Sequence, residues 1–317
     1  MNKEKLRSLA KGVIFSVPGM SLLKSKGTGG TINSRYCYSA WLRHLIKLNA
    51  NGGRFPDVVA ELGPGDSLGI GFAALLTGVK KYYALDIVNF FDTHRNLEIF
   101  EEIVSLFRNR TAIPDNIEFP GIHPEIENYD FPSEIISETQ LEVSLSEQRL
   151  DLLRDEIRNL EGFSNKYIFC YIPWYDSKVI KKNSVDFIYS QAVLEHVEDL
   201  ENTYSAMHKW LKSSGKMSHD IDFRSHNITT RLNGHWTFSD FEWKIVMNGT
   251  SFFINRRPFT YHIKLQKKIG FKILEVDLSK SQNHLKPTSL ARIFKNLNSE
   301  ELTTNIMYIL SEKRKSI

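Results

Sequence analysis

Short apolar runs alternate along this chain with segments whose apolar residues recur every third or fourth position. The runs at 57–62, 81–85, 166–171, 185–189 and 217–221 read as strands, and 271–276 and 305–310 supply two more. Between them lie helical patterns. Trp41, Leu42, Leu45 and Ile46 mark an amphipathic helix that Asn51, Gly52 and Gly53 terminate. Residues 68–76 make a small-residue helix, 97–107 another, and 145–160 a third with one strongly charged face. Tyr204, Met207, His208, Trp210 and Leu211 lie on a further helix. Strand, helix, strand in this rhythm predicts an α/β protein built on a mostly parallel sheet.

Chemistry concentrates first where strand 57–62 meets the helix at 68. Gly63 and Gly65 allow positive φ and leave bare backbone for a ligand to lie against. The amides opening the next helix face that turn. The second strand ends at Asp86, a carboxylate placed to accept hydrogen bonds from ribose hydroxyls. The pair predicts a nucleoside-containing cofactor at the carboxyl edge of the sheet. A dinucleotide site usually has an apolar residue where Glu61 stands, so an NAD(P)-dependent oxidoreductase is the less favoured alternative.

Glu61-Leu62-Gly63-Pro64-Gly65 resembles motif I of the class I S-adenosylmethionine-dependent methyltransferases. Val193-Leu194-Glu195-His196-Val197, after the fourth strand, resembles the corresponding segment of the small-molecule members. Lys212 to Lys216 stands where the family has Pro-Gly-Gly, with Ser214 replacing the first glycine. The resemblance covers most of residues 55–222. It implies a Rossmann-like, seven-stranded, mostly parallel sheet with an antiparallel last strand. It also implies S-adenosyl-L-methionine as cofactor, held by Glu61, Gly63, Pro64, Gly65, Asp66, Asp86 and Ile87. Trp174 and Asp176 would lie by the adenine, and Ser190 and Gln191 near the methyl group. An N-terminal segment, 1–50, is expected to cover the cofactor, with Tyr36, Tyr38 and Arg43 available to do so. The core is expected at 51–91 and 166–317. The stretch 92–165, with its irregular Pro114, Pro120, Gly121, Pro124 and Pro132, reads as a helical insertion after the second strand. It could serve substrate specificity or an oligomer contact.

Length and composition add limits. The chain has 317 residues, a net charge of +4 and two cysteines, Cys37 and Cys170. Nothing here argues for nucleic acid or a disulfide framework, and a cytoplasmic setting fits. Lys3, Lys5, Arg7 and Lys11 before an apolar run imitate a signal peptide, but Pro18 and Gly19 break it. No apolar stretch is long enough to span a membrane. Residues 1–23 are expected to lie as an amphipathic segment on the body, and 25–31 to form a glycine-rich linker or lid hinge.

Methyl transfer from a sulfonium is an in-line displacement, and a base is needed when the acceptor is a weak acid such as a sugar hydroxyl. The segment 218–226 is dense in titratable groups. His219 is expected to act as base, with Asp222 orienting it or binding the acceptor, and His196 nearby as a further catalytic candidate. If the strand ends near His219, the rest of that segment is a loop at the pocket mouth. His219, Asp222 and His226 match no metal-binding spacing, so no metal is expected. Arg231, Arg256 and Arg257 could grip an acidic acceptor, and the aromatic residues from Trp236 to Phe253 could stack on a sugar ring. The expected activity is O-methylation of a small-molecule or saccharide acceptor. A catalytically silent cofactor-binding scaffold is the second alternative.

Overall fold

The computed structural model describes residues 3–15, 30–90, 92–162 and 164–314. The expected hinge at 25–31 lies almost wholly outside the described residues, as do residues 16–23 of the expected amphipathic segment. Strands β1 (Val58–Leu62), β2 (Lys81–Leu85), β3 (Ile168–Tyr171), β4 (Val185–Gln191), β5 (Leu211–Asp222), β6 (Phe271–Lys280) and β7 (Thr304–Lys313) form one sheet. Its order is β3-β2-β1-β4-β5-β7-β6. The first five strands are parallel, and β7 runs antiparallel between β5 and β6. This is the Rossmann-like, mostly parallel seven-stranded sheet that the resemblance implies. Strand order reverses between β1 and β4, so the crevice that such a reversal opens lies above Gly63 and Gln191.

Alternation along each strand sends side chains to two cores. Val59, Tyr82, Phe187, Tyr189 and Tyr308 face α2 (Ser34–Ala50), α3 (Gly69–Leu76) and α4 (Thr93–Arg108). Ala60, Ile188, Met217, Ile221 and Ile309 face α7 (Leu200–Trp210) and α9 (Phe259–Ile269). Helix α3 sits close on β2 because Gly71 lacks a side chain: a Cβ there would lie 2.0 Å from the Tyr82 ring. The N-terminal helix α1 (Lys3–Phe15) packs on α8 (Asp240–Asn248), with Gly12 against the Ile245 carbonyl. Among the described residues no helix is long and apolar enough to cross a membrane.

Residues 92–165 do not stand apart from the core. Helix α4, Ile113, Ile122 and Ile126 share the first core with α2 and α3, as do α5 (Glu138–Ser144) and α6 (Glu147–Arg158). The helical pattern at 145–160 begins later than its periodicity suggests, because the chain turns at Leu145 and Ser146 between α5 and α6. Arg43, 0% exposed, ties this stretch to α2. Its guanidinium donates to the carbonyls of Pro114, Ile122 and Pro124, to Asn116 Oδ1 and to Ser39 Oγ at 2.8–3.2 Å, and lies over the Tyr129 ring. Removing it strands several buried acceptors at once. Arg43→Met is therefore expected to lower unfolding stability by about 3 kcal/mol or more, measured by urea denaturation.

Candidate active site at the carboxyl edge

The two sequence motifs touch. Gly63, at φ +63°, donates its amide to the Leu85 carbonyl at 2.8 Å. A Cβ on it would lie 2.6 Å from Val193 Cγ2, so the β1 turn rests directly on the segment after β4. Gly65 also has positive φ, +75°. Ser67 donates through its hydroxyl to the Thr31 carbonyl, and its amide bonds Thr31 Oγ1 at 3.1 Å. The approach to α2 thus lies against the turn.

Glu61 is only 2% exposed and points beneath the turn. Its Oε2 accepts from the Tyr82 hydroxyl at 2.5 Å and from the Tyr189 hydroxyl at 3.4 Å. Burial pushes its carboxyl up to about 8, against the opposing effect of those two donors. This differs from the expectation that Glu61 reaches a ligand in the groove: β1 alternation turns it to the α3 side. Asp86 does stand at the edge, half-buried, accepting the amides of Ile87 at 2.7 Å and Val88 at 3.3 Å. Burial raises its pKa, and bonds from backbone amides, including that of Gly65, oppose the rise. Ile87 and Val88 beside it are exposed apolar residues.

The β3 tip is fixed by the Trp174 amide, which donates to the Asp86 carbonyl at 3.0 Å. The Trp174 ring packs edge-on against Trp210, with centroids 5.2 Å apart. Asp176 caps a short turn by accepting the Lys178 amide at 2.8 Å, and Tyr175 is exposed. Ser190 is fully buried and pairs with His219 Nδ1 at 2.8 Å, so it faces away from the groove. Gln191 reaches the His123 carbonyl at 2.7 Å and His44 Nε2 at 3.0 Å, joining the β4 tip to α2 and to the 111–132 stretch.

The expected base is misplaced. Strand β5 continues to Asp222 rather than ending near His219. His219 is 0% exposed and packs toward Tyr204 and α9. Burial, with smaller effects from His44 and His262, lowers its pKa to about 3. Groups at the strand end are Asp220, Asp222 and Arg224. Asp222 receives Arg224 Nε and Nη2 at 2.6–2.9 Å. Asp220 is 6% exposed with Oδ1 unpartnered, and burial and the neighbouring Asp222 raise its pKa.

Glu195 and His196 sit on the turn after β4, whose carbonyls at Leu194, Glu195 and Val197 are held by Asn255. Just before it, Ala192 adopts φ +52° while its amide bonds the Asp220 carbonyl at 3.0 Å, a strained non-glycine conformation. His196 Nδ1 donates to the Phe253 carbonyl at 2.6 Å, and burial lowers its pKa to about 4. His226 comes alongside, with ring centroids 5.0 Å apart. The roles of Asn255 and Phe253 were beyond sequence reasoning, since only the fold brings 252–256 onto this turn. A cleft of about 340 Å³ opens beside it, with Asp222, Arg224, Ser225, His226, Arg231 and Asn283 among its lining residues.

Of the arginines proposed to grip an acceptor, only Arg231 is at this cleft. Arg256 is buried against Trp243 and Phe294 and bonds Asp240 and the Phe238 carbonyl, while Arg257 lies over Tyr261. Trp236, Phe238 and Trp243 belong to small apolar clusters, and only Phe252 flanks His196 and His226. Tyr38 and Arg43 likewise serve packing.

A family model described as a methyltransferase domain matches residues 141–218. Solved structures of similar shape include an S-adenosylmethionine dependent methyltransferase from Mesorhizobium loti, at 12% identity and TM-score 0.43, covering 86% of this chain and 98% of that one. A SAM-dependent methyltransferase from Methanosarcina mazei is 11% identical with TM-score 0.43, covering 85% and 98%. Haemonchus contortus phosphoethanolamine N-methyltransferase 2, in complex with S-adenosyl-L-methionine, is 12% identical with TM-score 0.40, covering 87% and 53%. Comparison with curated proteins returns no match. Residues 141–218 thus match a methyltransferase domain, and the sheet carries the antiparallel β7 that the resemblance to S-adenosylmethionine-dependent methyltransferases implies. Its site chemistry suits that cofactor: residues 58–69 carry no lysine or arginine to balance a diphosphate, and the edge is rich in carboxylates that favour a sulfonium and an ammonium.

Glu61 gives a pH test. Its folded pKa lies above its unfolded one, so its protonated form stabilises the native state fully below about 4.5, and that contribution is lost as pH rises toward 8. Glu61→Gln is expected to lose less stability than the wild type between pH 5 and pH 8, measured by urea unfolding across that range.

Proposed function

We propose that this enzyme transfers a methyl group to an oxygen of a small, hydroxylated or sugar-like acceptor held in the cleft at the end of β5. The observation that carries the reading is the cleft wall itself, where Asp222, Arg224, Ser225, Thr229, Arg231 and Asn283 offer hydrogen-bonding groups of both kinds. In this reading Gly63, Pro64, Gly65 and Asp66 carry the methionine end of the cofactor. Asp86 takes the ribose hydroxyls, and Ile87 with the Trp174–Asp176 loop borders the adenine. Gln191 helps close the groove from the β4 side, and Ser190 serves by packing. Tyr36, half-buried at the start of α2, covers the methyl-transfer position.

The acceptor hydroxyl gives its proton to Asp222, which is already oriented by Arg224, while the oxygen attacks the methyl carbon in line with the departing sulfur. Bound S-adenosylmethionine would supply the methyl group from its sulfonium and leave as a neutral thioether that keeps the carbon–sulfur bonding pair. Holding the two atoms in line and excluding water supplies most of the acceleration. His219 contributes structure through Ser190 rather than proton transfer. Residues 92–165 reach the site through the His123 contact to Gln191, through Asn96, which accepts the Leu68 amide, and through Phe119 against Tyr36; their outer helices are left available for an oligomer contact.

Three measurements test this. Incubation with methyl-labelled cofactor and fractionated extract, followed by mass analysis, is expected to yield an O-methylated product; a product methylated on nitrogen or carbon overturns the acceptor assignment. Asp86→Ala is expected to weaken cofactor binding by about ten-fold or more in calorimetry. Asp222→Asn is expected to reduce turnover of the identified acceptor at least about 100-fold while cofactor affinity changes by less than a few-fold.

A further inference from the structure

We propose that Glu195, His196 and His226 form a binding site for one divalent transition-metal ion at the carboxyl ends of β4 and β5. One ligand atom from each lies within 4.8 Å of the others. Both rings are already oriented for the task. A carbonyl oxygen only accepts, so the Nδ1 of His196 facing Phe253 O and the Nδ1 of His226 facing Arg224 O, at 2.6 and 2.8 Å, both carry the ring proton. With the ring proton held on Nδ1, Nε2 is the nitrogen each ring would offer to a metal, and a backbone carbonyl on the other nitrogen is the usual outer support of a ligating histidine. His226 Nε2 lies 3.9 Å from Glu195 Oε1 and 3.7 Å from Asp222 Oδ2.

The second observation is the state of Glu195. It is 3% exposed, and neither carboxylate oxygen has a hydrogen-bond partner. A buried carboxyl without partners is costly, and a bound cation removes the cost. Ligand atoms around a tetrahedral ion are about 3.4 Å apart when each lies 2.0–2.1 Å from it, so small side-chain shifts would close the site. Two imidazole nitrogens and a carboxylate suit Zn²⁺, Mn²⁺, Fe²⁺ or Co²⁺ better than Mg²⁺ or Ca²⁺, which prefer all-oxygen shells. Phe252 flanks both rings and shelters them on one side. His226 and Asp222 also line the cleft, so the ion would sit at its margin. There a cation would weaken the O–H bond of an acceptor hydroxyl. That role rests on the methyl-transfer reading above; metal binding itself does not.

The test uses full-length protein freed of metal by chelation and dialysis, then titrated with Co²⁺ followed by visible absorption and with Zn²⁺ followed by calorimetry. One equivalent is expected to bind, with at least ten-fold weaker binding in both Glu195→Gln and His226→Ala. Circular dichroism checks that each variant is folded. His226 is partly exposed, so if the buried Glu195 variant unfolds, His226→Ala decides alone. Failure of the wild type to take up one equivalent, or unchanged uptake in the folded variants, overturns the site. Titration of the same preparation with S-adenosylmethionine reads the other proposal separately. Cofactor binding without metal uptake sinks only the metal site, and metal uptake without cofactor binding sinks only the methyltransferase assignment.

Discussion

The contact between Gly63 and Val193 is the constraint that sets the site. With no side chain at Gly63, the β1 turn descends onto the segment after β4, and a Cβ there would collide with the valine. The contact spans the point where the sheet reverses its order, the one place where neighbouring strands send their connections to opposite faces. Fixing it sets the width of the crevice. It also fixes Glu195 and His196, which come just after Val193 in the chain, relative to the glycine turn. Asn255 then holds the 194–197 turn from above through three hydrogen bonds. A ligand over Gly65 and a group at Glu195 are therefore parts of one rigid arrangement.

The parallel core was legible because its signals are local. Buried parallel strands read as continuous apolar runs, and the glycine turn and Asp86 sit at their tips. The length of β5 was not legible. The run 217–221 reads as a strand, but its titratable residues left an early end near His219 open; it pairs with β7 as far as Asp222 because β7 supplies an antiparallel partner throughout. Polar residues are tolerated there since each face finds a partner: Ser218 bonds His44 and Tyr308, and His219 bonds Ser190. The same pairing took His219 out of the site. Residues 92–165 read as an insertion because periodicity shows that helices exist but not what they cover; Arg43, far away in sequence, supplies that information only in three dimensions.

The position of Ser214 shows how a departure from a motif is absorbed. It takes φ +62°, the conformation that the replaced glycine would adopt without strain. For a serine this costs roughly 1–2 kcal/mol. Regular pairing of β5 with both neighbours immediately afterwards offsets it. A substitution that looks like a lost motif is thus only a lost increment of stability, which is why the resemblance survives it.

Electrostatics joins the two halves of the site. Asp220, Asp222 and Glu195 converge at one edge, and Arg224 is bound directly to only one of them. Burial, and then the charge of Asp222, raises the pKa of Glu195, so its neutral form is favoured when no cation is near. A cation entering the edge reverses that preference, because it turns a desolvation cost into a short-range attraction. The methyl donor brings a sulfonium, and its product is a neutral thioether. On the methyl-transfer reading proposed above, carboxylates that gain from the first would gain less from the second, so the cluster that draws the cofactor in would hold the spent form less strongly. On this argument the acidic edge contributes direction to the cycle as well as affinity, whether or not an ion also occupies it.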